Sequence, residues 1–294
     1  KFILEMFTKI EKKLKLYFFW ITLERFPNLY RPSSKPYLSG DSLRKISDHV
    51  FDETKTFNPI NVSKKDIVFL SGNLIDKYFL YFHPKINVEY ILITHNSDKN
   101  ITDHEYSYVD KNIIHWFAQN LEVNNREKIS IIPIGVENLR RLKFGRKKWF
   151  KNSSIKTNDI LFSFNLYTNY LKRQPAFEAL HKNLNFEIYS NTEEYFENLK
   201  KTKFVISPEG NGSDTHRIWE ALIVNTLPIM IKTSFTKNLQ DLGVPGIYLN
   251  SWEELLNYDK NELNEIYVEE TNKKFLYLTQ LEYWEDKIKN YKVI

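Results

Sequence analysis

Residues 203–222 read KFVISPEGNGSDTHRIWEAL, and this stretch decides which fold we expect. A strand-like run, 203–206, leads into a loop in which two glycines flank Asn211. Glycine adopts positive φ readily and lets a ligand approach the backbone closely. Residues 215–224 then have the pattern of a helix, and the free N–H groups of a first helical turn attract anions. The stretch therefore predicts a strand, an anion-binding loop and a helix.

Two charged side chains of the predicted helix extend this expectation. Arg217 presents a planar, permanently charged guanidinium in the first turn, and Glu220 shares its helix face. A guanidinium suits phosphate and a carboxylate suits hydroxyl groups, so the pair suits a ribose with a diphosphate. An ordinary helix start is the equal alternative, with Ser213 or Asp214 as N-cap and a surface pair worth about 0.2–0.5 kcal/mol.

These residues resemble the C-terminal signature of the exostosin family of glycosyltransferases. In that signature a strand, a Ser-Pro-x-Gly loop and an Asp-x-x-Arg-x-x-Glu-Ala helix start bind a nucleotide sugar. The resemblance is strong over residues 204–231 and diffuse over residues 37–138. It implies the GT-B architecture, in which two Rossmann-like domains face each other across a cleft, and a metal-independent transfer with inversion. The chain lacks the cysteines and the second catalytic domain of animal exostosins, so their substrates are not carried over.

The resemblance also implies roles for individual residues of the donor site. Phosphate would be cradled by Ser207, Gly210, Asn211 and Gly212 of the loop. Arg217 and Arg173 would offset its charge, and Glu220 would hold the ribose. The predicted donor-binding residues are Ser207, Glu209, Gly210, Asn211, Gly212, Asp214, Arg217 and Glu220 in the quoted stretch, with Asn165 and Arg173 across from it. For Arg173, a solvated basic turn is the equal alternative.

The rest of the chain alternates between strand-like and helical patterns. Strand-like runs occupy 67–70, 90–94, 129–133, 160–164, 186–189, 204–206, 228–231 and 247–249, and helical patterns occupy 42–53, 74–82 and 111–120. This alternation predicts an α/β fold with two doubly wound domains. A basic polar stretch, 140–158, is the candidate linker. We therefore predict an acceptor-side domain over 1–150 and a nucleotide-sugar-binding domain over 151–294.

A polar cluster follows the apolar strand 90–94, at the edge where open parallel sheets bind ligands. We expect His95 or Asp98 to be the base that deprotonates an acceptor hydroxyl, with Asn96, Ser97 and Asp41 on the acceptor side. A strand-end turn is the equal local alternative for the cluster. For Asp41, a helix cap is the favoured alternative.

The amino-acid composition favours some cellular locations and some ligands over others. The 294 residues include no cysteine, which excludes disulfides, cysteine nucleophiles and thiolate metal sites and favours the cytoplasm. The net charge of +5 suits anionic nucleotides, acidic glycans or lipid headgroups, and no nucleic-acid-binding motif accompanies it. Residues 1–30 mix lysines with aromatic residues, which indicates a helix that lies on the inner face of a membrane or packs on its own domain.

Missing motifs limit the chemistry. Phosphate-binding P-loop, dinucleotide, zinc-protease and serine-hydrolase motifs do not occur, nor does the Asp-x-Asp pair of many metal-dependent glycosyltransferases. We expect no metal and no cofactor besides the nucleotide-sugar donor. The predicted function is transfer of a sugar from a nucleoside-diphosphate sugar, such as a UDP-sugar, to a glycan or lipid-linked glycan in surface polysaccharide synthesis. A non-catalytic glycan- or nucleotide-binding protein and a nucleotide-sugar hydrolase or epimerase are the alternatives.

Overall fold

Two parallel β-sheets organise the chain in the computed structural model, which describes residues 31–123, 127–141, 143–151 and 154–293. The first sheet contains β1 (His49–Phe51), β2 (Ile67–Ser71), β3 (Tyr90–His95), β4 (Ile113–Ala118) and β5 (Ile129–Ile131). The second contains β6 (Asn158–Leu161), β7 (Thr202–Ile206), β8 (Leu227–Ile231) and β9 (Ile247–Leu249). The predicted α/β class is therefore confirmed. The helix predicted within residues 1–30 lies outside the described residues.

Helices connect most of these strands. The α-helices are α1 (Gly40–Ile46), α2 (Ile75–Tyr81), α3 (Asp103–Tyr106), α4 (Tyr170–Leu180), α5 (Thr192–Lys201), α6 (His216–Ile223), α7 (Ser234–Leu242), α8 (Lys260–Thr271) and α9 (Leu281–Val293). Short 3₁₀ turns span Pro59–Asn61, Gly72–Leu74, His83–Lys85, Leu139–Arg141, Lys147–Phe150, Leu166–Thr168, Trp252–Asn257 and Leu276–Thr279. The N-cap of α1 is Ser39, whose side chain accepts a hydrogen bond from Ser42 N, whereas Asp41, for which a cap was the alternative, lies in the first turn.

The strands of the first sheet lie side by side in the order in which they occur in the chain. Right-handed crossovers between such strands place the connecting helices on one face. On that face, Phe79 of α2 packs with its ring 5.7 Å from Trp116 of β4. Neighbouring strand residues point to opposite faces, and on the other face Tyr291 of α9 stacks on His115 at 4.3 Å. The doubly wound order predicted for this sheet is not seen among its described strands, since their order never reverses.

The second sheet does reverse its order. Its paired strands run β6-β7-β8-β9, and Phe162, just beyond β6, forms a parallel bridge with Phe186. Because β7 occupies one edge of β6, the bridge lies at the other edge, and the order reverses between β6 and β7. The loops that follow these two strands face each other there. Open parallel sheets bind ligands at such a switch point.

Three predicted elements differ from the structure. The helix predicted over 42–53 ends at Ile46, and the edge strand β1 follows it. The helix predicted over 111–120 is strand β4, with buried side chains on both faces. Such a strand shows no alternation, so periodicity does not distinguish it from a buried helix. The strand predicted over 186–189 is reduced to the single bridge at Phe186.

The end of the chain packs against the first sheet. Leu281 N donates to Pro36 O at 2.8 Å, and Lys292 of α9 forms an ion pair with Asp48 at 2.8 Å. The predicted linker packs elsewhere, because Trp149 stacks on Phe196 of α5. The boundary at residue 150 stays a prediction, and residues 281–293 contact the strands on the far side of it.

Trp284 anchors α9, because its side chain is fully buried and its indole N–H donates to Leu278 O at 2.8 Å. Trp284→Ala should lower the free energy of unfolding by about 3–5 kcal/mol through lost packing and the cavity left behind. Urea denaturation measures the change. Val293→Ala, at an 85% exposed site of the same helix, is the control and should change it by less than about 0.5 kcal/mol. Equal effects of the two variants would contradict the anchoring role.

Candidate functional site

A buried arginine ties together the two loops at the switch point of the second sheet. Arg173 of α4 donates from Nε to Glu209 O at 3.0 Å and from Nη1 to Asn165 O at 2.6 Å. Asn169 Nδ2 donates to Gly210 O at 2.8 Å. The structure thus brings four predicted donor residues together. Arg173 is only 6% exposed, so the solvated-turn alternative does not hold for it.

A second guanidinium, that of Arg217, lies near the same aromatic ring as the first. The guanidinium carbons of Arg173 and Arg217 lie 5.8 and 5.9 Å from the centroid of the Phe164 ring. Burial, with the neighbouring charge of Arg217, lowers the pKa of Arg173 to about 10. Arg217 Nε is buried and has no hydrogen-bond partner among the residues that the structure describes. Two cations with an unused donor at a switch point favour binding of an anion.

A mainly apolar cavity of about 340 Å³ opens at the ends of β7 and β8. Its lining includes Ser207, Pro208, Ile218, Met230, Ile231 and Trp252. Lys172 and Glu209 form an ion pair of 2.8 Å and also line the cavity. Apolar walls with a few polar groups at the edge are typical of small-molecule sites.

The second half of the loop after β7 docks on the first sheet. A Cβ added to Gly212 would lie 2.8 Å from Asn120 Nδ2, so any larger residue would have to displace the Asn120 amide. Ser213 Oγ donates to Glu122 Oε1 at 2.7 Å. Gly212 therefore packs against Asn120, and its predicted role in cradling phosphate stays a prediction. Asn211 remains exposed at the tip of the loop.

Asp214 links the loop to the segment after β5. Its carboxyl is 4% exposed, with Oδ2 accepting from Ile134 N at 2.7 Å and Oδ1 from Trp219 Nε1 at 2.8 Å. Burial raises the pKa of Asp214 to about 7, although these hydrogen bonds oppose the rise. Both oxygens are in use, so its predicted donor-binding role is corrected to a structural link. The N-cap alternative is not observed either, because Thr215 occupies that position.

Two side chains of α6 contact the same segment. His216 Nδ1 lies 2.8 Å from Gly135 O, and Glu220 Oε1 accepts from Glu137 N at 3.1 Å. Glu220 is 3% exposed, and burial raises its pKa to about 8. A ribose would need an accessible carboxylate. The predicted ribose contact of Glu220 is therefore corrected to a second structural link.

A larger, polar cavity of about 560 Å³ lies where β3 and β4 end. It is lined by Asn73, Asn96, Ser97, Asp98, Gln119, Ile134, Glu137, Asn138, Arg140, Arg141, Lys143 and His216. Three of the residues predicted for the acceptor half, Asn96, Ser97 and the exposed Asp98, are among them. Their chemical roles stay predictions.

His95, the other predicted base, is 1% exposed. Its Nε2 lies 3.0 Å from Pro133 O, and its Nδ1 accepts from Asn96 N at 2.8 Å. Burial lowers the pKa of His95 to about 4. Neither ring nitrogen is free to take a proton from a substrate. The prediction of His95 as base is therefore corrected, and the imidazole instead fixes the loop that follows β3.

Asp41 lies behind the polar cavity, where it is 1% exposed. It forms ion pairs with Arg31 at 2.9 Å and with Arg140 at 3.1 Å. Its predicted contact with an acceptor is corrected, because the buried carboxylate holds Arg140 in the cavity wall. Asp41 N also donates to Asn138 Oδ1 at 2.7 Å, which fixes a further residue of that wall.

His216 is the functional candidate that sequence reasoning missed. It lies inside the quoted stretch, one residue before Arg217, but no spacing rule separates it from an ordinary first-turn residue. Only the folded structure shows that it lines the polar cavity. Arg140, Arg141 and Lys143 also line that cavity, although their sequence pattern predicts a linker.

Comparison with known proteins leaves the family open. No protein-family model matches this sequence, and none of the curated proteins matches it. Among the described residues, no helix combines the length and the apolar character needed to cross a membrane. Within the same ranges, no three His, Asp or Glu side chains are grouped to hold a metal ion.

The raised pKa of Glu220 predicts a pH-dependent contribution to stability. Because the folded protein holds this proton more tightly than the unfolded chain, the contribution is complete below the ordinary pKa of 4.5 and is lost as pH rises through about 8. Glu220→Gln should remove it. The difference in unfolding free energy between wild type and variant should then fall as pH rises from 4.5 to about 8, by at most about 1.4 kcal/mol per pH unit.

Urea denaturation of both proteins at several pH values measures this difference. Glu265→Gln, which makes the same substitution at an exposed position of α8, is the control with which the Glu220 variant is compared. A pH-independent difference for Glu220→Gln would show that the carboxyl is not held protonated in the fold.

Proposed function

We propose that the protein is a glycosyltransferase that moves a sugar from a nucleoside-diphosphate sugar to a glycan or lipid-linked glycan, in surface polysaccharide synthesis. The observation that carries this proposal is the pair Arg173 and Arg217 at the switch point, with Arg217 Nε buried and unpaired among the described residues. Neighbouring like charges raise each other's energy, and an anion between them removes that cost. A diphosphate supplies this charge and several hydrogen-bond acceptors.

The apolar cavity suits the nucleoside half of such a donor. Met230, Ile231 and Trp252 offer apolar surface to a flat base, and Ser207 offers a hydroxyl. Glu209 lines this cavity and its carbonyl also holds Arg173, so the cavity adjoins the arginine pair. A single ligand with a base at one end and a diphosphate at the other matches both features.

The polar cavity suits an acceptor rich in hydroxyl groups. Amide side chains such as Asn73, Asn96 and Gln119 line it and hydrogen-bond hydroxyls in either direction. The segment after β7 borders both cavities, with Ser213 in the wall of the first and His216 in the wall of the second. The transferred sugar is therefore proposed to lie beside this segment, with the donor and acceptor halves on opposite sides of it.

This arrangement supports direct, inverting transfer. An acceptor hydroxyl from the polar cavity attacks the anomeric carbon, and the bond to the diphosphate breaks on the opposite side. The electron pair goes to the leaving diphosphate oxygen, where Arg173 and Arg217 offset the growing negative charge without a required metal ion. Positioning of the two substrates and this charge stabilisation supply most of the rate enhancement.

Arg217→Ala should weaken binding of UDP, or of the nucleoside diphosphate that the protein prefers, by about 1.5–3 kcal/mol, the range for hydrogen bonds to charged groups. This corresponds to roughly 10- to 150-fold in Kd. Isothermal titration calorimetry with UDP, GDP, CDP and ADP, with EDTA and with Mg²⁺, measures the effect. Lys182→Ala, an exposed site with the same change of charge, should leave Kd unchanged.

The outcomes separate the alternative functions. Unchanged affinity in a folded Arg217→Ala protein contradicts the donor site, and binding that requires Mg²⁺ contradicts the proposed charge balance. Nucleotide binding without turnover of any nucleotide sugar indicates a binding protein. Turnover in which water is always preferred as acceptor over glycans indicates a hydrolase.

A further inference from the structure

His216, the first residue of α6, has one ring nitrogen fixed and one free. Its Nδ1 lies 2.8 Å from Gly135 O, and a carbonyl oxygen only accepts hydrogen bonds, so Nδ1 carries the proton. In the neutral ring, Nε2 then holds a lone pair. The structure gives Nε2 no hydrogen-bond partner among the residues it describes, and the side chain lines the polar cavity. A fixed tautomer with an unbonded ring nitrogen, on a side chain that lines a cavity, is the arrangement of a general base.

The carbonyl that fixes the ring is itself held in place. Gly135 has φ +67, and a Cβ added there would lie 2.2 Å from Leu38 O, so no other residue fits without displacing the backbone. The hydrogen bond from His216 therefore depends on contact between α6 and the segment after β5. The ring is oriented only when the loop of the second sheet is docked on the first.

The charged groups around the His216 ring favour its role as a proton acceptor. Burial lowers the pKa of His216, as does Arg141, while Glu137 and Asp98 raise it. The ring is thus kept neutral near pH 7, and two carboxylates lie close enough to favour it once it gains a proton. His95 from β3 is the other titratable group near the ring, and Arg140 and Lys143 line the same cavity.

We propose that His216 Nε2 accepts the proton of the acceptor hydroxyl, and that Asp98 stabilises the resulting imidazolium. The inference rests on the proposed glycosyl transfer. The hydroxyl O–H bond breaks as its oxygen bonds to the anomeric carbon, the proton moves to Nε2, and the glycosidic electron pair leaves with the diphosphate. The imidazolium then loses its proton to solvent. His216 takes the role first predicted for His95, and Asp98 becomes a positioning residue.

His216→Asn tests this role without removing the link to Gly135. The Asn amide offers an N–H donor in place of Nδ1 but has no group in place of Nε2. UDP release from UDP-glucose, UDP-N-acetylglucosamine and UDP-glucuronic acid is measured first with water as acceptor and then with an oligosaccharide panel. We expect release to fall by about 100- to 10,000-fold with UDP affinity unchanged. Imidazole should partly restore release in His216→Ala.

Asp98→Asn distinguishes the supporting carboxylate from the base. Release by the wild type should decline as pH falls and the ring gains a proton. Removing the Asp98 charge should shift that decline to lower pH and reduce release far less than His216→Asn does. His181→Asn is the matched control, because the exposed His181 also has Nδ1 against a backbone carbonyl, Phe177 O, at 2.9 Å. It should change neither rate nor pH profile.

Two results would overturn the inference. Near-normal release in His216→Asn, with loss in Asp98→Asn, would make Asp98 the base. Nitrogen-15 NMR that places the proton of the neutral His216 ring on Nε2 would overturn it even if the wild type showed no turnover. Failure of the wild type to bind any nucleoside diphosphate would instead contradict the proposed function, and the NMR result would still decide the state of His216.

Discussion

Buried hydrogen bonds between the start of α6 and residues 134–137 hold the two sheets together. Asp214 accepts from Ile134 N, His216 donates to Gly135 O, and Glu220 accepts from Glu137 N. A buried polar group without a partner is costly, so each of these bonds fixes the position of the other side. Because β5 ends at residue 131, the backbone groups of this segment lie beyond the sheet and bond with side chains from the other half of the chain. Both cavities are bordered by residues that this contact positions.

Side chains on the first turns of α6 have different roles. Residues three apart on a helix point in directions that differ by about 60°, so Arg217 and Glu220 can share a side of the helix and still reach different surroundings. Glu220 turns into the contact with residue 137, whereas Arg217 reaches the Phe164 ring beside Arg173. Because the two side chains lie in different surroundings, they do not contact one ligand together as the sequence pattern predicts. Glu220 therefore has a structural role, whereas Arg217 supplies a positive charge at the switch point.

Strands, helices and loops that depend on the local sequence pattern could largely be predicted. The roles of side chains that depend on contacts between distant residues could not. The apolar runs predict where β3 and β7 end. Because parallel sheets bind ligands beyond the ends of their strands, the sequence also predicts that the segments containing Asp98 and Glu209 border binding sites. The burial of His95 depends on Pro133, 38 residues away, and that of Asp214 on Ile134, 80 residues away. No short motif carries such partners. The sequence pattern of the buried strand β4 predicts a helix because apolar side chains lie on both of its faces.

The buried acids also shape the charge at the switch point. Burial raises the pKa of Glu220 to about 8, so near pH 7 most of its carboxyl is neutral and does not cancel the charge of Arg217. The arginine pair therefore presents nearly its full positive charge to the loop after β7. A diphosphate bound there would add negative charge and make ionisation of Glu220 still less favourable. Binding of the proposed donor and docking of α6 on residues 134–137 would therefore both favour the protonated carboxyl of Glu220, and through this proton they would favour each other.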